Sequence, residues 1–104
     1  MVKSVIADLE KMMEFPREGV FSKVLAKTSV SHHTLMCLAS GSDISEHTST
    51  REAAVTVLKG TGVFMLGAKR IKMKPGVFIF MPANAPHALS AHQDLAILLS
   101  IFGK

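Results

Sequence analysis

Apolar positions recur along the chain with two different spacings, and only the first stretch has the spacing of a helix. Over residues 4–14, Val5, Ile6, Leu9, Met12 and Met13 return every three or four positions, which sets them on one face of a short amphipathic helix that Pro16 stops. Beyond Val20 the pattern changes. Val20, Phe21, Val24 and Leu25 lead into Thr28, Ser29 and Val30, and the whole stretch reads as extended. Residues 34–39 (TLMCLA) form a compact apolar run closed by Ser40-Gly41-Ser42, which is turn chemistry, and predict a buried strand. Strands are expected next at residues 44–48 and 53–58, the second closed by Lys59-Gly60-Thr61-Gly62. Residues 63–66 and 70–74 flank Gly67-Ala68-Lys69 as a hairpin, and in its second arm Arg70, Lys72 and Lys74 alternate with Ile71 and Met73, the period of a strand with one wet face. Pro75-Gly76 predicts a type II turn. Residues 77–81 are continuously apolar, as a strand buried on both faces would be, and strands at 87–90 and 95–102 complete the chain. Eight or nine short strands at this spacing predict an all-β sandwich or barrel.

Composition narrows the picture. A chain of 104 residues, 48% hydrophobic and 19% charged, suits one domain with a real core, divided here into an N-terminal segment (residues 1–19) and a barrel (residues 20–104). The single cysteine, Cys37, precludes an internal disulfide and fits a reducing, cytoplasmic setting; inside an apolar run it reads as core. Asp8 and Glu10 interrupt the first residues where a signal peptide needs an apolar stretch, and the longest uncharged apolar run, LAILLSIF, is far shorter than the roughly 20 residues of a membrane-spanning helix. No membrane association is expected. The net charge of +4 is uneven: residues 1–54 carry six basic and seven acidic groups, residues 55–104 six basic and one acidic. With no Tyr, no Trp and no basic helix, the excess reads as a solvated strand face rather than a nucleic-acid surface.

Two stretches carry the candidate chemistry. Gly41-Ser-Asp-Ile-Ser-Glu-His47-Thr-Ser49-Thr-Arg51-Glu52, running on to Gly60, resembles the first motif of the cupin family, a glycine followed after five residues by His-x-His, then a glutamate and a glycine. Gly76-Val-Phe-Ile-Phe-Met-Pro82-Ala-Asn84-Ala-Pro-His87 resembles the second, a glycine, five residues, then Pro-x-Gly-x-x-His. The resemblance spans residues 41 to about 91 and implies a double-stranded β-helix, the small antiparallel jelly-roll barrel, with a metal or ligand site at its open end. It also implies a homodimer built by packing the outer faces of two barrels.

The departures from those motifs are specific. His47 and His87 match family ligands, but Ser49 stands where a second histidine belongs, and the glutamate position, counted back from Gly60, falls on Ala53 with Glu52 one residue early. A one-residue shift turns a strand side chain to the other face, so Glu52 reaches the site only from a loop. Asn84 replaces a glycine and tolerates the left-handed backbone that position uses. The resemblance therefore implies a divalent transition metal (zinc, nickel, iron, manganese or copper) on His47, His87 and Glu52, with a small-molecule ligand and oxygenase- or isomerase-type chemistry. Against it stands a metal-free binding or sensor barrel in which both histidines are hydrogen-bonded residues of the mouth. Of His32 and His33, strand alternation points one in and one out; His92 falls at an exposed turn, and His33 or His92 is the alternative donor if Ser49 leaves the site short. Met36, Met65, Met73 and Met81 with Phe64, Phe78 and Phe80 are expected to line the interior.

Overall fold

The computed structural model describes residues 3–103. A single helical turn, α1 (Leu9–Met12), precedes nine strands: β1 (Val20–Lys27), β2 (Ser31–Leu38), β3 (Asp43–His47), β4 (Ala53–Lys59), β5 (Gly62–Leu66), β6 (Lys69–Met73), β7 (Phe78–Met81), β8 (His87–Ala91) and β9 (Leu95–Phe102). They form a five-stranded sheet in the order β1-β2-β9-β4-β7 and a four-stranded sheet in the order β3-β8-β5-β6, antiparallel throughout. This is a jelly-roll barrel.

Strand alternation builds the core. On β9, Leu95, Ile97, Leu99 and Ile101 face the space between the sheets, and from the other strands Leu38, Val55, Phe64 and Met73 meet them there, each no more than 1% exposed. Each such side chain contributes about 1.5–3 kcal/mol relative to exposure, so this interior dominates the fold's stability. Gly60 (φ 87°) closes β4 against the start of β9, where a Cβ would run into the carbonyl of Asp94. Asp94 in turn accepts a bond from the backbone N–H of Ser40 (2.9 Å), tying the β2–β3 turn to the same corner.

The outer face of the larger sheet is covered from the N-terminal side. Leu35, Cys37 and Ala96, all fully buried, pack beneath Met12, Met13 and Phe15. The expected helix over residues 4–14 shrinks to four residues. Asp8, in extended conformation, caps it through a bond from the Lys11 N–H (3.3 Å), and Met13 is already extended. So short a helix gains little on its own, while Met12, Met13 and Phe15 gain burial by lying along the sheet, and Pro16 holds the preceding residue extended. Val5 and Ile6 are left 53% and 98% exposed instead of sharing that face.

Two further expectations are corrected. Residues 28–30 are not strand but the β1–β2 turn: the Thr28 hydroxyl accepts bonds from the backbone N–H groups of Val30 (3.1 Å) and Ser31 (3.0 Å), a local closure that outcompetes the β-branched preference. The apolar run at 77–81 is not buried on both faces. β7 is the edge of its sheet, so Ile79 and Met81 turn inward while Phe78 and Phe80 stand outside, 64% and 48% exposed, rather than lining the interior. β6 is the edge of the other sheet, and its exposed Lys69, Arg70 and Lys72 discourage pairing with another strand.

Candidate functional site

At one end of the barrel the C-terminus of β3 meets the N-terminus of β8, and His47 pairs in register with His87 after a register shift beyond Ile44. Their ring centroids are 4.1 Å apart at an interplanar angle of 62°. Each ring is anchored by its own backbone: Nδ1 of His47 lies 2.8 Å from the Ser45 carbonyl, and Nδ1 of His87 lies 2.9 Å from the Ala85 carbonyl. A carbonyl only accepts, so in the neutral rings both Nδ1 atoms carry the proton and both Nε2 atoms present a lone pair. No protein group among the described residues bonds either Nε2. His87 is also steadied by Phe64, whose ring lies parallel to it within 3° at 6.0 Å between centroids.

The loops supply the anchor. Asn84 adopts φ 68°, the left-handed turn expected of it, and its N–H donates to the Ser49 carbonyl (2.6 Å), which joins the two motif loops and sets the Ala85 carbonyl beneath His87.

The histidine pair lines two adjoining chambers. The inner one, about 160 Å³, is floored by Met36, Val55, Phe64, Ile97 and Leu99. The outer one, about 180 Å³, is lined by Ser49, Arg51, Met81 and Pro82. Both share His47, His87 and Leu99. Arg51, which the sequence reading passed over, is the one charged side chain on either lining. Its position two residues beyond Ser49 on the same loop is the signal that would have found it. A larger open groove of about 510 Å³ beside Arg70, Lys72 and His92 lies at the far end of β8 and has no paired histidines.

Glu52 does not join the pair. It is exposed and lines neither chamber, and the inward residue is Ala53, 4% exposed. The Glu52 carbonyl accepts from the Phe102 N–H (2.9 Å), which pins the start of β4 in a phase that sends the neighbouring side chain outward. The other histidines lie elsewhere. His33 faces outward, bonded through Nδ1 to the Ser100 hydroxyl (2.8 Å) and set edge-on to Phe102, and His92 is at the opposite end. His32 pairs with Ile101 and so shares its inward face; its buried Nε2 has no partner, yet it lies outside both chamber linings. Among the described residues no group of three or more His, Cys, Asp or Glu is placed to hold a metal ion.

Residues 34–102 match the family described as Cupin domain, two thirds of the chain. The chain belongs to the cupin family. An uncharacterized protein from Aquifex aeolicus (strain VF5) is 29% identical over 101 residues, covering 93% of this chain and 82% of its own length. Among solved structures, a conserved Streptococcus pyogenes protein of unknown function is 26% identical with a TM-score of 0.87, covering all of this chain and 91% of that one. A cupin superfamily protein from Desulfitobacterium hafniense superposes with a TM-score of 0.89 at 20% identity, over all of this chain and 99% of its own.

Cupins often hold metal ions, and the donors here fit a partial site. Two imidazole nitrogens bound about 2.1 Å from one ion put their ring centroids roughly 4.6 Å apart at a right angle and about 5.3 Å apart at a tetrahedral one. The rings, at 4.1 Å, stand closer than either, about half an ångström inside the right-angle separation, and both anchored tautomers are correct for ligation. Two nitrogens leave the remaining positions to water or a ligand.

Proposed function

We propose that this cupin binds a divalent transition metal through Nε2 of His47 and Nε2 of His87 and uses it to hold a small molecule in the two chambers. The observation that supports this reading is the pair of Nδ1–carbonyl bonds, which leaves the Nε2 lone pairs of two neighbouring rings without a protein partner at a cavity. Zinc, nickel, iron, manganese and copper are the candidates, imidazole being suited above all to zinc, copper, iron and nickel. Such an ion supplies Lewis acidity to a coordinated oxygen, the starting point for isomerase- or oxygenase-type chemistry. The chain's own residues orient the two rings and present them to both chambers. A metal-free ligand-binding or sensor barrel is the second reading, favoured by Ser49 at the position of a family histidine.

Metal analysis of untagged protein, followed by titration with nickel and zinc, separates the two. About one ion per chain supports the metal reading, and no binding at micromolar concentrations supports the other. Ser49 lines the outer chamber beside both rings, so Ser49→His is expected to tighten nickel binding at least about tenfold by adding a nitrogen donor. Unchanged affinity in calorimetry would place position 49 out of reach of the ion.

We propose also that two copies pair through their larger sheets. Ile6 at 98% exposure, with Phe78 and Phe80 outside the edge strand, leaves apolar surface that a second copy's N-terminal segment and outer face would cover. Light scattering at micromolar concentration is expected to give twice the 11.2 kDa chain mass. A mass near one chain across the concentration range refutes the pair.

A further inference from the structure

The lining of the two chambers is unbalanced in charge. It holds no carboxylate and no lysine, only Arg51, and among the described residues the one ion pair is Lys11 with Asp8, far from the site in sequence and on the N-terminal segment. The histidines are neutral donors, so a divalent ion on them would keep its full charge and add to that of Arg51. A positive site without a protein counter-ion is matched by an anionic ligand. The shape adds a second requirement. Below the histidines the inner chamber offers only apolar side chains and has room for about five water-sized groups.

We infer that the ligand is a small aliphatic carboxylic acid, its carboxylate held by Arg51 and the Ser49 hydroxyl in the outer chamber and its hydrocarbon tail lodged past His47 and His87 in the inner one. Arginine presents a planar fork of donors suited to a carboxylate, and the loop backbone that carries it is tied by the bond between Asn84 and Ser49, which keeps the fork within reach of the mouth. The tail displaces water from a chamber whose floor cannot hydrogen-bond it. This inference rests on the proposed small-molecule site and deepens it, but the Arg51 contact does not need the metal.

The test is calorimetric titration with hexanoate, hexanamide and acetate, on the wild type and on Arg51→Gln, each in chelator-stripped and nickel-loaded form. The wild type is expected to bind hexanoate at least tenfold more tightly than both the neutral amide, which lacks the charge, and acetate, which lacks the tail. Arg51→Gln is expected to lose at least tenfold for hexanoate and much less for hexanamide, which has no charge to pair; Arg51 is exposed, and an unaltered unfolding midpoint checks that the fold is intact. Retained discrimination in stripped protein that takes up no nickel upholds the inference while the metal reading falls. Nickel binding with hexanoate and hexanamide bound equally, or with hexanoate unaffected by Arg51→Gln, overturns the inference and leaves the metal reading standing. No hexanoate binding in either form overturns it as well.

Discussion

Replacing His87 by alanine is expected to lower nickel affinity by more than about 100-fold, since even supporting groups around a metal ligand are worth roughly 10–100-fold and here one of only two protein nitrogens is removed. The same loss is expected for His47→Ala, because each ring is held by a separate backbone carbonyl and neither can substitute for the other. Stability is expected to change little at His47, which is exposed, and modestly at His87, which surrenders its contact with Phe64. His92→Ala, at the far end of β8, serves as the control and is expected to bind nickel like the wild type. Calorimetry that found either site variant within threefold of the wild type would remove the pair from the metal site.

The largest effect on stability is expected at Gly60. Alanine there combines two penalties: a left-handed backbone at φ 87°, costing about 1–3 kcal/mol for a residue with a side chain, and a Cβ driven into the carbonyl of Asp94. Because the obstacle is backbone at the entry to β9, relief requires the end of β4 and the start of β9 to part where Leu95 is fully buried. A loss of about 4 kcal/mol or more follows, a large share of the 5–15 kcal/mol that holds a domain together, with a melting point lowered by roughly 15 °C or more. Gly67→Ala isolates the first penalty, having a similar sign of φ (58°) but nothing within 4 Å of the new Cβ, and is expected to cost only about 1 kcal/mol. Equal losses for the two variants in urea unfolding would show that the contact with Asp94 is relieved without cost.

These two positions also illustrate what a linear sequence makes legible. His47, His87 and Gly60 stand at fixed distances within two motifs, and the expected strand at 95–102 coincides with β9 because a run of eight residues with seven apolar has few alternatives. Phe78 and Phe80 were misplaced because periodicity reports which residues share a face, not whether their strand is central or at an edge; that depends on partners distant in the chain. The short α1 has a similar origin, since the sheet that draws Met12 and Met13 out of the helix is built from residues that come later. Arg51 escaped notice as one polar residue in a polar loop. The bonds from Asn84 to Ser49 and from Phe102 to Glu52, both to residues distant in the chain, hold that loop at the mouth of the barrel.

The covering of Cys37 by Met12, Met13 and Phe15 gives the molecule a built-in clock. The sulfur has no exposure in the closed state, so a thiol reagent can reach it only during excursions in which the N-terminal arm lifts or the sheet opens. Its labelling rate therefore counts local openings of the arm separately from global unfolding, and a second copy lying over the arm would slow that count as the protein concentration rises.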